Sequence, residues 1–485
     1  MALEVDIPGL DPDFLDRAGI TYNDEFTYPA DVEITAADLL NLIDYHSSHL
    51  RPKYAKERDY YRGKHDIFKE PGKPKYKPDN RVIFNFPRKA VTTFNGYFIG
   101  NPVKIDHANQ TVDDFIAEWI NVNDFEDVSA EISKESSMYG HAYFLVYQSK
   151  DGKAKIAPMS PLNAFLIYDD TEAHDVRYGV IYHRNYQKEL EVTLYDSNYR
   201  RDLVMRSSSA NYFDQDRVIA NPYKMVPIIE VAENTERMGL FEDITTLIDQ
   251  LDKAVSQKAN DIDYFADAML LIKNASIDSD KIADMKDNRL LNIKGQSAGD
   301  SDARYLDRPD ADTSQENLIN RLSNGIYEIS NVTNLNDESF SGNPSGVSLR
   351  LKYQAMQNMA RDKSLKFRSA LRKVFQCVFA VSYADVPTDA WRELQFKFTQ
   401  DVPTNLLEDG QAVNYLYGKI SNKTLFKQLP FIEDPDAEME QIKQEQREMQ
   451  DATAEVVKKA LSQAQTDQQK AGVADDNGPA RTTVD

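Results

Sequence analysis

The residues best suited to chemistry are acids, histidines and Gly-Lys pairs, and none completes a catalytic spacing. Gly63-Lys64, Gly72-Lys73, Gly152-Lys153 and Gly418-Lys419 are followed by His65, Pro74, Ala154 and Ile420. A phosphate-binding loop needs Ser or Thr after the Gly-Lys, because that hydroxyl holds magnesium. His46 and His49 sit three apart beside Asp44 on an expected helix, a face on which a metal could bind. No downstream His pair or Cys completes the set, so ordinary surface histidines are the plainer reading. Asp169-Asp170 and Asp278 with Asp280 could hold a divalent cation, although acids at loop edges are common. The single cysteine, Cys377, lies in an apolar run and reads as a buried small hydrophobe. Neither a nucleophile elbow nor a zinc-protease motif is present. The reading is therefore a protein that is not an enzyme, with no catalytic residue, no metal and no cofactor.

Two stretches offer contacts instead of catalysis. Residues 333–346 present Asn334, Asn336, Ser339, Ser341 and Asn343 among Gly342, Pro344 and Gly346, which break helix. Neutral polar groups of this kind could touch phosphates without the salt-sensitive grip of Lys and Arg. An ordinary flexible connector would look the same. Beyond it a helix carries a local basic excess that includes Arg350, Lys352, Arg361 and Lys363. Those charges could pair with acids of a neighbouring copy or line a passage, and a solvated helix face is the plainer alternative.

The surrounding elements must position these groups. At 485 residues the chain exceeds a single core, and its net charge of −22 disfavours a conventional nucleic-acid binder. An acidic wall would instead let a phosphate backbone slide past. The N-terminus lacks a basic and apolar leader, and no apolar run approaches the ~18 residues of a membrane span. The expectation is a cytoplasmic, soluble protein. Residues 1–33 read as an acidic arm, 66–84 as loop, and Arg51-Pro52 as a helix break.

Period-two patterning then predicts strands at His141–Gln148, Lys155–Met159, Ala164–Tyr168, Arg177–Tyr186, Glu189–Tyr195, Leu203–Met205 and Val226–Val231. From Leu240 to Met269 an apolar stripe at spacings of three and four predicts a helix of roughly 40 Å. Short apolar runs in 270–311 suggest a small subdomain of strands and one short helix. Thr313 and Glu316 form a capping box that opens a second long helix, with Leu318, Leu322, Ile326 and Ile329 on one face. A third runs from Val347 to about Tyr383 without Gly or Pro, and Trp391–Thr399 is a strand candidate. The first two long helices lack an obvious covering layer in one chain. Packing between copies in a ring would cover them, as would a bundle within one chain.

Six segments, in this order, resemble the portal proteins of tailed double-stranded DNA bacteriophages, in the siphophage form. Tyr60-Tyr61-Arg62-Gly63 resembles the family's Tyr-Tyr-x-Gly, and Asn95 to Val103 resembles its tyrosine-containing helix ending in Gly-x-Pro. Tyr139-Gly140-His141-Ala142-Tyr143 is similar to the family's entry into its β portion. Gly239-Leu240-Phe241-Glu242-Asp243 looks like the start of its first stem helix, and Ser345-Gly346-Val347-Ser348-Leu349-Arg350-Leu351-Lys352 like the start of the helix after its tunnel loop. Lys423-Thr424-Leu425, Leu429-Pro430 and Asp434-Pro435 resemble its C-terminal helical segment.

The resemblance implies an α+β, ring-forming fold with a mixed wing domain, a long-helix stem, a small α/β clip and a helical C-terminal crown. Carried onto this chain, an N-terminal arm spans 1–25, the wing 26–235, and the stem 236–268 with 312–332. The clip spans 269–311, the tunnel loop 333–346, a long helix and wing strand 347–400, the crown 401–465, and a disordered tail 466–485. The implied role is a dodecameric channel at one capsid vertex of the virion, assembled in the host cytoplasm. It serves DNA packaging, retention and ejection. Implied partners are further copies of itself, the terminase large subunit, a head-completion adaptor, the scaffold and major capsid proteins, and double-stranded DNA held non-specifically, with no membrane. A metal-dependent nuclease using scattered carboxylates, or a structural capsid protein without a channel, are the alternatives.

Overall fold

The computed structural model describes residues 19–74, 77–205, 214–266, 270–273, 290–293, 302–305, 312–335, 346–381, 386–400, 406–426, 429, 432 and 435–472. They fall within two compact units, Met1–Ser341 with Leu351–Asp401 and Gly342–Arg350 with Val402–Asp485. The first opens with β1 (Gly19–Ile20), β2 (Phe26–Tyr28), α1 (Ala36–Tyr45), a π-helical turn His46–Leu50 and α2 (Arg51–Tyr61). Next come α3 (Phe86–Ile99), β3 (Lys104–Asp106), α4 (Gln110–Val122) and α5 (Phe125–Tyr139). The β portion comprises β4 (His141–Gln148), β5 (Ala154–Met159), β6 (Ala164–Asp169), β7 (Val176–Arg184), β8 (Leu190–Tyr195), β9 (Tyr199–Met205), β10 (Asp214–Ala220) and β11 (Ile228–Ala232). Then follow α6 (Thr245–Ala266), β12 (Leu270–Lys273), β13 (Leu290–Ile293), β14 (Asp302–Tyr305), α7 (Asp312–Ser330), α8 (Gly346–Ala380) and β15 (Gln395–Lys397). The second unit holds α9 (Leu406–Leu416), α10 (Asn422–Phe426) and α11 (Pro435–Gly472).

Local chemistry sets these boundaries. Thr35 caps α1 by accepting the Asp38 amide at 3.1 Å, and Asn85 caps α3 by accepting the Arg88 amide at 3.0 Å. Pro87 sits in the first turn of α3, where its missing N–H costs nothing. Arg51-Pro52 does not break the chain's helical course. Pro52 occupies the first turn of α2, and the π-turn before it absorbs the displaced hydrogen bonding.

One sheet has seven strands in the order β1-β2-β6-β7-β8-β9-β10, antiparallel except for the β2–β6 pair. A second, β11-β4-β5, is antiparallel, and Asp151-Gly152 makes the β4–β5 hairpin with Gly152 at φ 79°. Tyr143, Leu166, Tyr168, Val226 and Ile228 form the core between these sheets. All the expected strands of this portion are present, while β1 and β2, within the stretch 1–33 expected to be an arm, and β3 and β10 escaped period-two patterning. In β10 the sequence Asp214-Gln215-Asp216-Arg217 carries no apolar alternation.

The second core forms around α8. Its Phe375 meets Trp119 at 5.2 Å and Phe396 at 6.0 Å between ring centroids. Phe367 meets Phe98, Phe144 and Phe398 at 6.0, 6.0 and 5.8 Å. β15 pairs antiparallel with β3, fastening the segment after α8 beside α3 and α4. In the second unit α11 continues to Gly472, past residue 465 where the polar tail was expected to begin. Gln, Ala and Lys are good helix formers, and no Gly or Pro interrupts them before Gly472. No helix among the described residues is long and apolar enough to cross a membrane.

Candidate functional site

The long helices α6, α7 and α8 and the loop between the last two carry the contacts named from sequence. α6 and α7 run antiparallel: Lys258 and Asp261 of α6 reach Glu316 and Gln315 of α7, the latter pair at 2.9 Å, while Leu247 lies beside Gly325 at the other end. Ile248 and Leu251 of α6 and Ile326 of α7 are buried. Asp312 opens α7, one residue before the expected cap, and the Glu316 carboxylate accepts from Lys258.

The other face of α6 is polar and equally occupied. Asp249, Asp252, Ser256, Asn260 and Asp263, spaced three or four apart, form one ladder. Asp249 accepts from Tyr60 Oη at 2.6 Å. Asp252 accepts the Phe84 amide at 3.1 Å and meets His65 Nδ1 at 2.5 Å. Ser256 Oγ accepts the Val82 amide at 2.8 Å and donates to the Val82 carbonyl at 3.1 Å. Asn260 Oδ1 accepts the Asn80 amide at 2.6 Å, and Asp263 accepts from Asn80 Nδ2 at 2.5 Å. An extended segment that makes no sheet thus has its backbone paired by helix side chains.

His65 is fully buried there, stacked on Tyr60 at 4.8 Å, with Nε2 3.2 Å from the Tyr60 carbonyl. Both ring nitrogens thus stand within hydrogen-bonding distance of an oxygen, one of Asp252 and one of the Tyr60 backbone. Reading 66–84 as plain loop missed this ladder, and its signal lay in the Asp/Ser/Asn spacing of α6. The apolar stripes, for their part, are largely buried within one chain where α6 and α7 pack together. Among the described residues of these two helices, the large apolar side chains that stay exposed are Ile262, Leu318 and Ile329.

The connection to α8 begins where Asn331 adopts φ 56°, a left-handed turn that ends α7. Val332 is buried, and Thr333 Oγ1 donates to the Lys352 carbonyl at 3.2 Å. That bond pinches the base of the loop. Asn334 is half-buried just above it, whereas Asn336, Ser339, Ser341 and Asn343 lie outside the described residues. The Arg350 side chain is likewise outside them.

The four basic residues of α8 singled out from sequence do not share a face. Arg350 and Arg361 lie eleven residues apart, about 20° around the helix at ~100° per residue, as do Lys352 and Lys363. The two pairs are offset by about 200°. Arg361 is exposed, while Lys363 is fully buried, which corrects the expectation of a single basic face.

Lys363 Nζ lies 2.6 Å from Glu233 Oε2, 2.8 Å from Ser137 Oγ and 2.9 Å from the Ser133 carbonyl. It also stands 5.3 and 5.2 Å from the ring centroids of Phe94 and Phe98. Burial draws its pKa down, against the pull of Glu233. Ser136 and Ser137 both donate to Glu233 at 3.1 Å, so the carboxylate is well satisfied.

The turn that leads into α6 is held by Arg237, at φ 55°. Its guanidinium pairs with Glu230 at 2.8 Å and donates to the Asn23 and Asp24 carbonyls at 3.2 and 3.1 Å. Tyr168 Oη completes the pair by donating to Glu230 at 2.5 Å. Gly140, at φ 80°, lets this turn close: a Cβ there would lie 1.9 Å from the Arg237 carbonyl oxygen.

The remaining sequence candidates separate. His46 is buried with Nδ1 2.8 Å from Tyr182 Oη, while His49 is exposed and stacked on Tyr45 at 4.5 Å. Asp169 accepts from the Thr171 amide at 3.0 Å, and Asp170 from the Ala30 amide at 3.0 Å. Asp278 and Asp280 lie outside the described residues. Among the described residues no group of three His, Cys, Asp or Glu side chains is arranged to hold a metal. Of region 269–311 the described part is a three-stranded sheet, β12 parallel to β13 and antiparallel to β14.

The profile of the family described as "Phage portal protein, SPP1 Gp6-like" matches residues 40–452. The portal protein of Bacillus phage SPP1 is 22% identical over 397 residues, covering 76% of this chain and 76% of that protein. The portal protein of Clostridium phage phiCD119 is 21% identical over 435 residues, covering 82% of this chain and 94% of that protein. A chain from a solved structure, the neck of an empty GTA particle computed with C6 symmetry, has a TM-score of 0.40 and 10% identity, covering 70% of this chain and 88% of that chain.

Proposed function

The chain belongs to the SPP1 Gp6-like family of phage portal proteins, and from that premise we propose that it forms a twelve-membered ring at one capsid vertex and conducts DNA through its centre. The observation that carries the reading is the closed-base loop between α7 and α8, set on helices anchored rigidly to the rest of the first unit. In this reading the wing is 26–235 with 347–400, the stem 236–268 with 312–332, the clip 269–311, the tunnel loop 333–346 and the crown 401–465. The neutral polar residues Asn334, Asn336, Ser339, Ser341 and Asn343 touch the DNA backbone without gripping it. The acidic balance of the chain favours sliding over adhesion.

Portal proteins are structural, not catalytic, and the energy for packaging comes from a separate motor. The terminase large subunit docks on the clip during filling and a head-completion adaptor follows it. Scaffold and major capsid proteins meet the outer surface. Arg361, exposed on α8, reaches toward an acid of the neighbouring copy, whereas Lys363 serves inside the subunit. Native mass measurement with negative-stain imaging tests the reading. Closed rings of twelve with a central hole are expected, and a stable monomer at assembly concentrations overturns it.

A further inference from the structure

The helix α11 carries an apolar seam that stays exposed among the described residues. Met449, Val456 and Val457 are 71, 66 and 52% exposed, an unusual state for three large apolar side chains on one helix. Met449 and Val456 are seven residues apart, and Ile442 lies seven before Met449. Met439, Gln446, Thr453 and Ala460 repeat with the same period, three residues before those positions or four after them. This is a heptad with apolar d positions and mostly small or polar a positions. Ile442 and Met439 are half-buried, α10 packs against α11, and Met449, Val456 and Val457 are exposed.

A seven-residue repeat held over 439–460 suits one kind of occupant, another helix supercoiled on it. The flanking positions specify which helix. In a parallel, in-register pair each g position faces the e position five residues on in the partner. Here that sets Glu438 against the neighbouring copy's Lys443, and Ala452 against the neighbouring copy's Val457. The first is an opposite-charge pair, and the second covers the exposed Val457. The face opposite the seam carries Glu440, Arg447, Asp451 and Lys458, which suits solvent.

We propose that α11 pairs with α11 of one neighbouring copy as a short parallel coiled coil, so that the C-terminal helices of the ring associate two by two. The inference rests on the ring reading only for the supply of parallel neighbours. A ring of twelve would carry six such pairs. With polar Gln446 and Thr453 in the seam, the pairing is weak alone and depends on the ring to hold the helices close.

Cysteine cross-linking of the full chain tests it, because the native Cys377 is buried and leaves the new thiol as the reactive one. M449C and V456C place the thiol in the seam, and K458C places it on the opposite face. Assembly is first scored by native mass, followed by mild oxidation and non-reducing electrophoresis. More than half of M449C and V456C chains should run as dimers, with K458C at least fivefold lower. Intact rings in which M449C cross-links no more than K458C overturn the pairing and leave the ring reading standing. Cross-linked M449C without rings keeps the pairing and overturns the ring. Neither rings nor cross-links overturns both.

Discussion

Lys363 Nζ and Glu233 Oε2 lie 2.6 Å apart with both side chains buried, one on the long helix α8 and the other just after β11. The pair fixes the register of α8 against α5, because the Ser133 carbonyl and Ser137 hydroxyl complete the ammonium's shell. Removing one partner strands a charge in a medium that solvates it poorly. K363M should therefore cost about 3–5 kcal/mol in denaturant unfolding. E233Q in the same background should recover part of the loss, since the stranded carboxylate is then gone. R361A, two residues away but exposed, should change stability by less than ~0.5 kcal/mol. Equal losses for K363M and R361A would refute the inward assignment.

The ladder on α6 predicts a local effect. S256A removes both the acceptor for the Val82 amide and the donor to its carbonyl. Amide exchange at Val82 and its neighbours should quicken about tenfold or more, in step with ~1–3 kcal/mol for an unsatisfied buried group. Exchange in β6 and β7 should stay unchanged. D252N should be more severe, because that carboxylate serves both the Phe84 amide and His65. Unaltered exchange over 79–84 in S256A would show that the segment is held by something other than the helix.

Gly140 and Gly96 make a matched pair. G140A forces a Cβ toward the Arg237 carbonyl in a backbone conformation that L side chains rarely adopt, so loss of soluble folded protein is expected. Gly96 lies within α3, and a Cβ added to it would meet nothing within 4 Å. G96A should raise stability by ~0.5–1 kcal/mol through helix propensity alone. Thermal melts of the two variants would read opposite shifts.

Acid sensitivity follows from buried imidazoles. Burial first, then the nearby charges of Arg51 and Arg237, holds the His46 pKa down to about 3 against an ordinary 6.5. The folded ring stays neutral while the unfolded one takes a proton, so stability is full above pH 6.5 and falls as pH drops toward 3. At pH 5 His46 alone should have removed roughly 2 kcal/mol. His141, buried and also held low, adds in the same sense. Glu135, raised to about 7 by burial and Glu131, acts in the opposite sense, its contribution being lost as pH rises through that value. The informative comparison is thus between the native chain and H46Q. The variant should lose less stability between pH 7 and pH 5, and parallel losses would remove His46 from the account.

How much of this was legible follows from which interactions leave a local period. The strands of the β portion and the stripe of α6 did, because one buried face imposes spacing two or three-and-four. Lys363 did not announce its burial, since a lysine turned inward looks like its neighbours until Glu233, 130 positions earlier, is placed beside it. The α6 ladder carried a spacing signal, but its partner is a stretch whose Pro, Gly and Lys content says only that no sheet or helix forms. The Pro52 junction was misread because a π-turn has no sequence mark of its own. The loop residues were named by composition, and only Asn334 among them lies in the described residues.

The loop itself gives the most direct test of function. Thr333 Oγ1 donates to the Lys352 carbonyl, so the ends of α7 and α8 are joined independently of the residues between them. Deleting three or four residues from 337–343 should therefore leave ring assembly and melting unchanged within ~1 kcal/mol, since loop-closure entropy varies slowly with length. DNA filling or retention should fall at least tenfold if the neutral polar groups steady the duplex in the passage. T333V serves as the control. It removes one hydrogen bond worth about 1 kcal/mol at the base and leaves every proposed DNA-facing residue in place. Its effect on filling should be several-fold smaller than the deletion's. Normal filling by an intact deletion ring would separate the loop from DNA handling altogether.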